Sequence, residues 1–282
     1  MLDETAVLIT ADLAAASGGT FHLLDRVPAP DPGDPDLRRF AEDRDGLKRD
    51  LADRIRSRGE KATPKLVERE LAVIERARAA QDAIDAIQAA GGTATWHQAD
   101  LTDPEQVQAA VAAALADSPR IDVLLHCAGL EISHFLPDKT QAEWDLVFDV
   151  KAHGWINLLA ALGDADVGTA VGFSSIAGRF GNAGQTDYAA ANDLLCKSVA
   201  AFRRDRPGTR GITIDWTAWA DIGMAARGSI PKMMELAGID MLPPAEGIPA
   251  VRRELEAEGP GGEVLVAGAL GVLLDERDPA GG

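Results

Sequence analysis

Seven short runs of β-branched or apolar residues, AVLIT, TFHLLD, TATWHQAD, IDVLLHCAG, GTAVGFSS, GITIDWTAW and GEVLVAGA, recur along the chain with helix-forming stretches between them. A crossover between parallel strands needs about a dozen residues or more, and the helix it contains packs back onto the sheet in the right-handed sense. Strands alternating with helices at this spacing therefore predict an α/β chain built on a doubly wound parallel sheet. The 282 residues, 46% of them hydrophobic, suffice for one such core, and a single domain is expected over residues 1–275. Ligands of these sheets bind beyond the carboxyl ends of the strands, so the residues that follow each run are the functional candidates.

Two stretches depart from the regular alternation. Residues 27–92 open with the turn-rich VPAPDPGDPD and then read as two charged helices. Leu37, Phe40, Leu47, Leu51 and Ile55 make an apolar stripe on the first. Thr63-Pro64 looks like the cap and first residue of the second, which runs through Leu66, Val73, Ile74, Ile84 and Ile87 to a stop at Gly91-Gly92. Such a helical insertion suits an interface, a flap, or a hairpin packed on its own domain. Residues 224–245, rich in methionine, read as a lid or as a core helix, and the tail 276–282 is expected to be disordered.

Charge and composition narrow the function. A net charge of −17 argues against nucleic acid and anionic membrane as partners. No apolar run approaches the ~20 residues of a spanning helix. The acidic start MLDETAVLIT has no signal-peptide pattern, so a soluble cytoplasmic protein is expected. Cys127 and Cys196 cannot build a disulfide framework. His22, His97, His126, His134 and His153 lack metal-ligand spacing, and no metal is assigned.

The only tyrosine, Tyr188, stands in FSSIAGRFGNAGQTDYAAAN, with Ser175 thirteen residues before it and Asn192 four after. A phenol, of reference pKa about 10, can give a proton to an alkoxide forming beside it. Ser175, just past the strand that ends near Phe173, can hold the same oxygen, although a serine there also suits a helix cap. Asn192 shares a helical face with Tyr188 and offers a polar relay.

These residues resemble the short-chain dehydrogenase/reductase superfamily, and within it the ketoreductase domains of polyketide and polyunsaturated-fatty-acid synthases. The resemblance runs from about residue 93 to 270 and implies a Rossmann-like sheet. Most of the superfamily carries a lysine four residues after the tyrosine. Here Asn192 takes that place, and Lys151 in FDVKAHGWINLLAAL, 24 residues before Ser175, matches the exchange made by synthase ketoreductases. The implied catalytic set is Tyr188, Ser175, Lys151 and Asn192. A lysine ammonium beside a phenol lowers its pKa toward working pH. The hydride must come from a nicotinamide, since no side chain supplies one.

The resemblance further implies cofactor contacts at Asp25, Arg26, Asp100, Leu101, Cys127, Ala128, Gly129, Lys151, Tyr188, Trp216 and Thr217. Arg26 favours NADPH, whereas Asp25 admits NADH. The implied partners are an acyl carrier protein bearing a β-ketoacyl chain and neighbouring synthase domains. One element of the pattern is missing: AVLIT passes straight into ADLAAASGGTFHLLDR, with no glycine-rich turn to receive a pyrophosphate. Either a strand at AVLIT has lost its turn near Thr10, or residues 5–17 form one helix and the first strand is absent. Both readings predict impaired pyrophosphate binding. They keep a non-catalytic structural module as the rival to a reductase, with a stand-alone alcohol dehydrogenase third.

Overall fold

The computed structural model describes residues 4–223 and 230–275. AVLIT is helical: α1 runs from Glu4 to Ser17 and is followed directly by β1, Thr20–Asp25. Of the two readings of the N-terminal region, the helix holds. The physical reason lies in the neighbours of the run. Ile9 joins the buried cluster of the main sheet, and Ala14, about 140° further round the helix, packs beside Leu23, so a helix serves both contacts from two faces.

The 27–92 insertion forms three helices where the sequence suggests two: α2 (Pro35–Glu42), α3 (Arg44–Ser57) and α4 (Pro64–Ala89). The break falls at Asp43, whose side chain accepts the Gly46 N–H and starts a new helix. Thr63 caps α4 with Pro64 in its first turn, and Gly91 (φ +91°) ends it, as the sequence implies. The stripe residues Leu47, Leu51 and Ile55 bury against Val67 and Leu71, while Val73 of α4 is 54% exposed. The C-terminal half of α4 packs Ala83 and Ile87 on Ala14 of α1 and Leu23 of β1, which favours a hairpin seated on its own domain.

Every strand pair among the described residues is parallel. β2 (Thr93–Gln98) pairs with β1 from Thr20↔Thr93 to Asp25↔Gln98. A second sheet takes the order β3–β4–β5–β6, from β3 (Arg120–His126), β4 (Asp166–Ser175), β5 (Arg210–Trp216) and β6 (Glu263–Val266). The sheet is thus Rossmann-like and doubly wound, but it comes in two parts, with no strand joining β1 to β3 among the described residues. Strands buried on both faces read as continuous apolar runs, and β4 and β5 are buried along nearly their whole length.

One face is covered by α5 (Pro104–Asp117), α6 (Gln141–Leu162) and α8 (Thr186–Asp205), through Val107, Trp155, Leu195 and Phe202. The other is covered by α1 and α10 (Pro244–Glu256), through Ile9, Ala250 and Val251 against Phe173 and Ile214. Gly172 matters here: a Cβ would lie 3.1 Å from Leu195 Cγ, so only glycine lets α8 settle this closely on β4. The start of α8 is thereby held beside the end of β4. Of the expected lid, 224–229 lies outside the described residues; the remainder holds α9 (Ile230–Ala237) and Leu242, which is buried in the core. The tail 276–282 also lies outside them.

Candidate active site

The carboxyl ends of β3, β4 and β5 open onto a cavity of about 210 Å³ lined by Lys151, Ser175 and Tyr188, with Cys127, Gly129, Trp216 and Thr217 around them. Three of the four expected catalytic residues therefore meet at the sheet edge where the fold places ligands. Ser175 is the last residue of β4 and caps the short helix α7 (Ile176–Phe180), its Oγ accepting the Ala177 N–H at 3.1 Å. Capping and substrate binding are compatible, because the hydroxyl hydrogen can still be donated into the cavity.

Lys151 reaches the site from α6 and is 4% exposed. Its Nζ donates to the Phe173 carbonyl at 2.7 Å. A Cβ on Gly129 would come within 2.9 Å of Lys151 Cε, so the small residue after β3 is what admits the lysine. Buried His126 fixes the backbone of the same turn: its Nε2 lies 2.9 Å from the Lys151 carbonyl. A carbonyl can only accept, so this nitrogen carries the proton. Burial, assisted by the Lys151 charge, pushes the imidazole pKa down to about 3, and the ring stays neutral.

Tyr188 sits in the first turn of α8. Its N–H donates to Asp187 Oδ1 at 2.9 Å, and the other oxygen of Asp187 accepts Lys139 Nζ at 2.7 Å. The Lys139 and Asp187 side chains are 1% and 0% exposed, and Lys139 also donates to the Ile132 carbonyl at 2.6 Å. This buried pair ties the 131–140 segment to the turn that presents the phenol. The acid also meets the positive end of the helix dipole. Asn192 does not line the cavity. It is fully buried, its Nδ2 donates to the Tyr188 carbonyl at 2.8 Å, and its Oδ1 has no hydrogen-bond partner.

The expected cofactor contacts divide into two groups. Cys127, Gly129, Lys151, Tyr188, Trp216 and Thr217 line the cavity; Asp25, Arg26, Asp100, Leu101 and Ala128 do not. Asp25, 4% exposed, accepts the Val27 N–H at 3.2 Å, and Asp100 Oδ1 accepts both the N–H and the hydroxyl of Thr102. The first turn of α1 reaches the same cavity through Thr5, whose buried Oγ1 lacks a partner. A helix N-terminus is there for an anion, but no glycine-rich turn precedes it among the described residues.

Beside the cavity, Cys196, Asp215 and Glu263 bring potential metal-ligating atoms within 4.8 Å of one another. Burial raises the Cys196 thiol to about 11 and the Asp215 carboxyl to about 6, and Arg179 donates to Glu263 at 2.6 Å. The Cys196 thiol thus keeps its proton at neutral pH, and the Arg179 guanidinium pairs with Glu263. The sequence reading missed His126, Lys139, Asp187 and Thr5. Only Asp187, an acid abutting the tyrosine in a first helical turn, left a local signal. No described helix is long and apolar enough to cross a membrane.

Residues 47–221 match the KR domain family. The chain is 31% identical over 209 residues to a polyunsaturated fatty acid synthase protein of a Thraustochytrium species, covering 74% of this chain and only 7% of that protein. Its fold is similar to that of a ketoreductase domain from the bacillaene assembly line, with a TM-score of 0.68 and 20% identity over 96% of this chain and 55% of the other. It is also similar to that of a short-chain dehydrogenase from Burkholderia cenocepacia solved in complex with NADP, with a TM-score of 0.60 and 22% identity over 67% and 82% of the two chains. With the family match spanning more than half its length and the expected residues gathered at the strand ends, this chain belongs to the ketoreductase domains of the short-chain dehydrogenase/reductase superfamily.

Proposed function

We propose that the chain reduces a β-ketoacyl thioester, carried on an acyl carrier protein, to the β-hydroxyacyl form with NADPH. The observation that carries this reading is the convergence of Ser175, Tyr188 and Lys151 on one cavity. The substrate carbonyl oxygen would sit between the Ser175 and Tyr188 hydroxyls, which stabilise the negative charge developing there. A nicotinamide, when bound, would supply the hydride for the carbonyl carbon. Tyr188 then gives its proton to the oxygen as general acid. The fixed Lys151 ammonium favours the phenolate left behind. Buried Asn192 holds the Tyr188 turn and offers its unpartnered Oδ1 to a proton path.

The fit to the cofactor is uneven. Around the reacting end, Gly129 leaves room beside Lys151, and Trp216 and Thr217 form a wall. At the phosphate end, among the described residues, only the N-terminal turn of α1 and Thr5 are in place. Arg26 and the NADP-bound fold neighbour favour NADPH. Asp25 is buried and engaged with its own turn, which weakens the case for NADH. Ile230 and Met234 of α9 flank the cavity and suit an acyl chain, in keeping with a substrate lid. The size of the synthase protein that the chain is similar to supports neighbouring synthase domains as partners.

Tyr188→Phe is expected to lower thioester-dependent NADPH oxidation by at least about a hundredfold while leaving thermal unfolding unchanged. Undiminished turnover in that variant overturns the assignment. The two-part sheet favours one rival, a non-catalytic module of a synthase. Equilibrium titration separates the two, since tight NADPH binding excludes the scaffold reading.

A further inference from the structure

Three ligand-type side chains meet where α8 lies on β5 and β6, outside the cavity that holds Ser175, Tyr188 and Lys151. Cys196 comes from α8, Asp215 from β5 and Glu263 from the start of β6. Asp215 is fully buried and Cys196 is 7% exposed, whereas the Glu263 side chain is 34% exposed. The Cys196 thiol and the Ser174 hydroxyl both reach the Asp215 carboxylate, yet its Oδ2 has no hydrogen-bond partner. Glu263 sets a second carboxylate against the first. A buried oxygen left unpaired is costly, and a second carboxylate beside it adds to the cost. Neighbouring cations do not remove it. Arg179, from a half-exposed position, takes one oxygen of Glu263 at 2.6 Å, and Lys197 is engaged by Asp193 at 2.7 Å.

We propose that Cys196, Asp215 and Glu263 bind one divalent cation of the zinc class, which pins α8 to β5 and β6. Cys196 Sγ lies 3.5 Å from Asp215 Oδ1. A tetrahedral zinc ion, with bonds of about 2.3 Å to sulfur and ~2.1 Å to oxygen, sets two such ligands about 3.6 Å apart. That edge of the tetrahedron is already in place. All three ligand atoms fall within 4.8 Å of one another, so a modest turn of the partly exposed Glu263 side chain completes the set. Glu263 also marks the side from which an ion enters and water takes the fourth position. The charges balance as well. Arg179 offsets Glu263, which leaves the Asp215 charge uncompensated. On binding, the Cys196 S–H bond breaks, an S–metal bond forms and the proton leaves to solvent. Two positive charges then face one thiolate and one Asp215 carboxylate. The thiolate selects a borderline-soft ion, whereas calcium and magnesium take sets of oxygen ligands.

Binding of the ion does not depend on ketone reduction, and its test reads the metal–sulfur bond. The chain has two cysteines, so Cys127 serves as the internal control. Cadmium chloride added to the chelator-treated chain should give an ultraviolet thiolate-to-metal charge-transfer band that saturates at one ion per chain. Each ion bound should release one proton. Zinc should compete the band away and raise the thermal unfolding midpoint, and excess magnesium should do neither. Cys196→Ser should abolish both the band and the zinc-dependent rise, while Cys127→Ser keeps them. Asp215→Asn preserves the shape of the buried side chain and should weaken cadmium binding at least about tenfold. Three results would overturn the proposal. They are no saturable band at micromolar cadmium, a band that survives Cys196→Ser or vanishes with Cys127→Ser, and undiminished affinity in Asp215→Asn.

Discussion

Asp215 carries a cost that nothing around it removes. It lies at 0% exposure in β5, one residue before Trp216 in the wall of the candidate site, and its Oδ2 has no partner. Burial raises its pKa from 3.8 to about 6, with the Ser174 hydrogen bond working against that rise and Glu263 adding to it. The folded chain therefore holds this proton more tightly than the unfolded chain. The destabilisation is absent below the unfolded value, grows as pH rises through the interval, and is complete above about 6. Asp215→Asn keeps the shape and removes the charge. It should stabilise the protein by roughly 1–3 kcal/mol at pH 8, with the gain fading toward pH 4. Urea denaturation at the two pH values is the check. A gain that does not change with pH would mean that burial of the carboxylate is not its cause.

The elements that present the proposed catalytic groups depend on partners far away in sequence. α8 begins with Tyr188 already in its first turn, and what locks that turn is Lys139, 48 residues before Asp187. Removing one member of a buried ion pair strands the other charge, at about 3–5 kcal/mol. Lys139→Met should cost an amount of that order. Adding Asp187→Leu should recover most of it, because apolar replacement of a whole buried pair is often neutral. Denaturation of both variants decides the point: a double mutant as unstable as the sum of its parts would show that the pair is not coupled.

The contrast explains what the sequence could reveal. Ser175, Tyr188 and Lys151 were legible because a strand end and two helix positions convert fixed spacings into one place. Lys139 and His126 were not, since a loop lysine and a strand histidine gain their roles only from contacts the fold creates. AVLIT was ambiguous for a related reason. Four apolar residues and a threonine satisfy both periods, and the choice of helix was made by Ile9 and Ala14 finding partners on two different elements.

At the scale of the molecule, the alternation of runs gave the parallel, doubly wound class, and the division of the sheet followed from the choice made at AVLIT. That division has consequences for cooperativity. β3 to β6 share two buried clusters, which include Trp155, Phe173, Leu195 and Ile214. β1 and β2 rest on a much smaller one, chiefly Ala14, Leu23, Ala83 and Ile87, and have no ladder to the rest of the sheet. Regions with few buried apolar contacts open at lower free energy than the core they adjoin. Native-state hydrogen exchange should therefore divide the strands. Amides at 20–25 and 93–98 are expected to exchange at least tenfold faster than those at 169–173 and 211–216, and to lose protection first as urea rises. Uniform protection across all six strands would mean that the helices alone bind the two parts into one cooperative unit. The unpaired edges of β1 and β3 would then cost the fold far less than their exposure suggests.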